Sequence, residues 1–110
     1  MLALCAYYEG TVVRDKERFD SHVENVHLPL VARYPKLKAL RYLKGVPRDG
    51  EAPRFYLAFE LYFDSEDDFK AALSSEARRI ARDDVENFAP LFEGQIHHVM
   101  YEVKDIPVPR

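Results

Sequence analysis

Four histidines, one cysteine and a few carboxylates at apolar-patterned positions are the groups in this chain that could do acid–base or nucleophilic chemistry near neutral pH. His27 borders the stripe Phe19, Val23, Val26, Leu30 and Tyr34, and stands two residues before Pro29. The proline has no N–H to offer the carbonyl of Asn25, so a carbonyl left free there could accept from the imidazole. One ring nitrogen would then be fixed and the other presented to a cavity, with an ordinary pKa suited to moving protons. The plainer reading is a core-edge histidine that holds a kinked helix. His22 lies five residues earlier, which on an ideal helix sets it roughly 140° away, on the other side of the stripe. It is therefore expected at solvent or an interface, and the two imidazoles are not expected to share a metal. His97 and His98 should point to opposite faces of a strand, so no metal site is expected there either.

Asp84 interrupts an apolar helix face between Ile80 and Leu91, where a charge needs a partner. A Tyr hydroxyl, an Arg or a His would make it a tuned carboxylate beside a pocket; an ion pair with Arg41 or Arg33 would make it structural. Glu60, on the tyrosine side of a strand, reads as an interface contact. Cys5 has no activating neighbour in sequence and reads as a buried inert thiol. There is no Gly-rich phosphate loop, P-loop or nucleophile elbow, and no cofactor is expected.

The elements that must position these groups follow from periodicity. An apolar and aromatic segment from about Leu2 to Tyr8, ended by Gly10, is a strand and not a signal peptide, since no basic region precedes it. From Asp15, a plausible N-cap, the period becomes helical, with a kink or restart expected at Pro29 and an end at Pro35. Leu37 to Val46 and Arg54 to Phe63 should form an antiparallel hairpin. The second of these alternates strictly, Phe55, Leu57, Phe59, Leu61 and Phe63 against Tyr56, Ala58, Glu60 and Tyr62. Ser65 before three acids starts a second helix, whose face carries Phe69, Leu73, Ala77, Ile80, Asp84 and Leu91, and Ser74-Ser75 can split it. Gln95 to Lys104 is the last strand, followed by an extended tail.

The order β-α-β-β-α-β over residues 1–110 predicts one α+β domain of ferredoxin-like form, a four-stranded antiparallel sheet with helices on one face. The uncovered face is not polar: six of the seven tyrosines fall in predicted strands. Pairing with a second copy, as a homodimer with a barrel-like interior, would cover it. A net charge of -3 with interspersed signs predicts neither nucleic acid nor an anionic membrane as partner. A single cysteine permits no intrachain disulfide and fits a reducing cytoplasm. No apolar run approaches the roughly 20 residues of a membrane helix.

The stretch from Phe19 through His22 to His27-Leu28-Pro29-Leu30, followed by Pro35 and Tyr42, resembles the EthD family, whose first helix carries His-x-Pro-Leu after Phe-x-x-His. Asp84-Val85-Glu86-Asn87-Phe88 is similar to that family's Asp-x-x-x-Phe. The resemblance implies a dimeric α/β barrel with a ligand cavity between sheet and helices. It also implies chemistry of the kind seen in that superfamily: lactone isomerisation, cyclisation or dehydration of polyketide-like aromatics, or metal-free oxygenation. Carried over by position, His27, Tyr42 and Asp84 take the catalytic polar places, and His22, Phe88 and Leu30 the ligand contacts. Two functions follow as expectations. One is an enzyme of small hydrophobic or aromatic carbonyl compounds with His27 moving a proton. The other is a non-catalytic hydrophobic-ligand carrier or accessory protein of a degradative oxygenase pathway.

Overall fold

The computed structural model describes residues 1–110. Its elements are β1 (Leu2–Val12), α1 (Lys16–His22), a π turn (Val23–His27), α2 (Leu28–Val31), β2 (Ala39–Lys44), β3 (Phe55–Phe63), α3 (Glu66–Leu73), α4 (Glu76–Asp84), two short 3-10 turns and β4 (Phe92–Glu102). The strands form one antiparallel sheet in the order β2-β3-β1-β4, so the α+β ferredoxin-like expectation holds.

The core lies between one face of the sheet and the helices. Tyr8, Leu57, Phe59, Leu61 and Phe63 from the strands meet Phe19, Val23, Leu28, Val31, Ala72, Ala81 and Phe88. Phe19, Val23, Phe63 and Phe88 are fully buried, and Phe19 meets Phe88 edge-on at 5.7 Å between centroids while stacking on Phe92. Ser65 caps a helix as expected, and the expected split at Ser74-Ser75 occurs with Ser75 acting as a second cap. Ser65 accepts from the Asp68 amide at the start of α3, and Ser75 accepts from Arg78 at the start of α4.

Three local expectations are corrected. First, β1 does not end at Gly10: it runs to Val12, with Gly10 paired to Gly94 of β4, both at positive φ of 143° and 150°. Without Cβ atoms the two backbones pass close enough to continue the ladder, and β4 begins at Phe92 instead of Gln95. A Cβ on Gly94 would collide with the carbonyl of Glu9. Gly94→Ala should therefore cost about 2–4 kcal/mol, read as a lower denaturation midpoint at unchanged denaturant slope.

Second, the alternation of β3 holds only from Leu57 to Phe63. The register jumps at Tyr8/Glu9, leaving Tyr56 unpaired in a bulge. Tyr56 consequently turns to the helices, where its hydroxyl donates to Asp20 at 2.7 Å, and Phe55 turns outward to Tyr7 and His97. Third, α4 does not continue the stripe of α3. The cap at Ser75 resets the helical phase, so Ala81 and Asp84 are buried while Ile80 is 41% exposed.

At Pro29 a new helical segment, α2, starts with the proline in its first turn, as expected, and the turn before it is widened, with the Leu28 amide donating to the carbonyl of Val23, five residues back. This π turn absorbs the crowding that a proline ring imposes on the preceding turn.

Candidate functional site

The widened turn decides the geometry of the histidines. A π turn holds one residue more than an α turn, so residues five apart take the relation that residues four apart have in an α-helix. His22 and His27 accordingly face the same way, and both meet Asp84 at the end of α4. His22 Nε2 lies 2.9 and 3.0 Å from the two carboxylate oxygens, and His27 Nδ1 lies 3.1 Å from Oδ2. The Asn87 side-chain amide donates to Oδ1 at 2.9 Å. This corrects two expectations, since His22 is not a solvent-side or interface residue and the His27 ring bonds a carboxylate where a free backbone carbonyl was expected; of the partners weighed for Asp84, it takes histidine, and neither Arg33 nor Arg41. The histidines converge on this acid, and no group of three or more His, Cys, Asp and Glu is arranged to hold a metal ion.

Asp84 is 7% exposed, and its burial, the largest single influence, works to raise its pKa. The hydrogen bonds from Asn87, His22 and His27 together outweigh that and hold the carboxyl below its usual range. An ionised carboxylate can only accept, so the nitrogens facing it carry protons: Nε2 of His22 and Nδ1 of His27. Burial pushes the pKa of His27 below the ordinary histidine value, against the raising effect of Asp84 and with a smaller lowering effect from His22. A neutral His27 protonated at Nδ1 has an unprotonated Nε2. That atom has no hydrogen-bond partner within the chain and is not sealed among the buried polar atoms. Phe88 stands edge-on to the His27 ring at 4.7 Å and holds its plane from behind.

His27 forms part of the wall of a cavity of about 380 Å³ between sheet and helices. Its floor comes from the strands, with Ala6, Tyr8, Phe59 and Leu61, and its far wall from α4 and the residues beside it, with Arg78, Ala81, Arg82 and Val85. A volume in this range and a mainly apolar lining suit a small hydrophobic ligand.

The other expected site residues lie elsewhere. Tyr42 packs its ring on Phe59 but directs its hydroxyl to Glu24 at 3.4 Å, and it is not part of the cavity wall. Burial, with Glu24 and Asp20 beside it, keeps that hydroxyl protonated. Leu30 packs against the core, and Phe88 and His22 stand behind the wall. Tyr8, Tyr34, Arg78, Arg82 and His98 line the cavity and were missed. Reading α4 from its own cap at Ser75 would have brought Arg78 and Arg82 onto the edge of the face that carries Ala81 and Asp84.

Fold and site together define a ferredoxin-like protein with a histidine–carboxylate cluster backing a cavity between sheet and helices. Residues 14–91 match the EthD domain model, and the chain belongs to the EthD family. A Rhodococcus erythropolis protein, described as an uncharacterized 11.0 kDa protein in the thcB-thcC intergenic region, is 36% identical over 86 residues, covering 74% of this chain and 84% of the relative. Among solved structures, an EthD family protein of Bacillus halodurans superposes with a TM-score of 0.78 at 26% identity, over 94% of this chain and 99% of that one. A dimeric ferredoxin-like protein of unknown function from Thermobifida fusca superposes with a TM-score of 0.68 at 18% identity, over 93% of this chain and 90% of that one.

Proposed function

We propose that this chain is an enzyme acting on a small hydrophobic or aromatic carbonyl compound, with His27 as the group that moves a proton. One observation carries the reading: His27 is bonded to Asp84 at Nδ1 while Nε2 is free on the side of an apolar cavity. In such an arrangement the carboxylate selects the tautomer and stabilises the imidazolium that forms when Nε2 accepts a proton. The proton of a C–H next to a carbonyl would pass to Nε2, its electron pair moving onto the carbonyl oxygen, and return to a different atom. Returned to another carbon the proton completes an isomerisation, and delivered to a departing hydroxyl it completes a dehydration after cyclisation; a cofactor-free oxygenation would use the withdrawal alone, leaving the carbanion to react with dioxygen.

The test is a panel of a lactone, an anthrone and a β-keto acid, with binding and turnover measured separately. Turnover of at least one compound is expected, and it should depend on His27. Binding without turnover across the panel would favour the carrier.

The same reading takes the protein to be a homodimer. On the sheet face away from the helices, Tyr7, Leu43, Phe55 and Tyr101 lie beside Ala3, Cys5 and Ala58, with Leu43, Phe55 and Tyr101 between 36 and 45% exposed. An apolar face of this kind is costly to leave in water. The Thermobifida fusca protein of the same fold is described as dimeric. Sedimentation at micromolar concentration should give twice the chain mass, and a stable single subunit would overturn this part.

A further inference from the structure

The residues of the cavity wall divide unevenly. Of fifteen, eleven are hydrophobic, and the remaining four are His27, His98, Arg78 and Arg82. No carboxylate lines the cavity, in a chain whose net charge is -3. Arg78 and Arg82 stand one helical turn apart on α4, and neither makes an ion pair with any residue of the chain.

Their isolation is not for want of acids nearby. Glu76 and Asp83 of the same helix are both held by Arg79, and Asp84 is saturated by His22, His27 and Asn87. Arg78 is half-buried and near enough to Tyr34 for its charge to oppose the effect of burial on that phenol. Glu86, four residues after Arg82, pairs with neither arginine, so two guanidinium groups at the edge of an apolar cavity remain without a partner carboxylate and favour an anion. A guanidinium also binds a carboxylate in a planar, two-bond fashion that a neutral group cannot reproduce.

Building on the proposed function of this same cavity, we infer that its ligand is an amphiphilic anion: a hydrophobic body against Ala6, Phe59 and Leu61, with a carboxylate held by Arg78 and Arg82. The carboxylate anchors the molecule at the α4 side, so that the body reaches toward His27.

The experiment is calorimetric titration of the full chain with 2-naphthoate and with 2-naphthamide, equal in shape and different in charge. It is run at pH 8, where an ordinary histidine is neutral, and at low salt. The carboxylate should bind at least about tenfold more tightly than the amide. In the double variant Arg78→Gln, Arg82→Gln this preference should fall to about twofold or less, while amide affinity stays as in the parent and so reports an intact cavity. Equal binding of the two probes by the parent chain would overturn the inference alone, as would a preference that survives in the double variant. Binding of neither probe would overturn both the inference and the cavity reading under it.

Discussion

Replacing His27 with alanine is expected to lower turnover by about 10²–10⁴-fold, the range a positioned general acid or base contributes, with little change in ligand affinity. The separation follows from the geometry. His27 supplies one polar atom to a wall that is otherwise mainly aliphatic and aromatic, so most contact with a hydrophobic ligand survives its loss. The fold should survive as well, because Asp84 keeps His22 and Asn87 as partners. Single-turnover kinetics beside calorimetry would show this directly. Turnover within about threefold of the parent would remove His27 from the chemistry. The depressed pKa adds a second readout: activity that needs neutral His27 should persist below the ordinary histidine pKa, with its acid limb shifted to lower pH.

The second large effect concerns Asp84. Asp84→Ala should cost about 1–3 kcal/mol of stability, because it leaves the buried His27 N–H without its acceptor and deprives His22 and the Asn87 amide of theirs. Its pH dependence has a definite sign. The carboxyl is held below its unfolded value, so its contribution is present above the unfolded carboxylate range and is lost as pH falls through the folded value. His27 acts in the same direction: its folded pKa is lowered, and below about pH 6.5 the unfolded chain takes up a proton more readily than the folded one. Acid should therefore destabilise the parent in two stages, and the alanine variant should lose the lower one. Asp84→Asn separates positioning from packing. It removes the charge that raises the pKa of His27, so the acid limb of the rate profile should move further down. A purely structural role would leave that limb where it was.

Much of the fold was legible because it is written in periodicities that local geometry obeys. The hairpin of β2 and β3 and the serines at the starts of α3 and α4 appear where their patterns put them, and so do Phe19 and Val23 of the first helical stripe, whereas Val26 is exposed and His27 and Leu28 are buried in its place. The departures share a physical cause: each is a place where one residue is added to a repeat or the repeat is restarted. Tyr56 is an extra residue in β3 and reverses Phe55; the π turn adds a residue to the first helix and brings His22 round to His27; the cap at Ser75 rephases α4 and hides Asp84 while exposing Ile80. Projection on an ideal helix assumes a constant angle per residue, and at these points the angle is not constant. His27 and Asp84 could be singled out because a polar group at a buried position needs a partner. Which partner each found depended on the local phase, and so the cluster itself was not legible.

The widened turn before Pro29 has a consequence for how this protein can vary among its kin. Its five residues, Val23 to His27, work as an angular spacer, and among them Glu24, Asn25 and Val26 are exposed. A lineage that dropped one of these would carry its two histidines four apart on an ordinary helix and could still aim both at the acid. A lineage that gained one would swing the second ring out of reach. An interval of four on an ordinary helix would thus serve the same convergence as the interval of five across this wider turn.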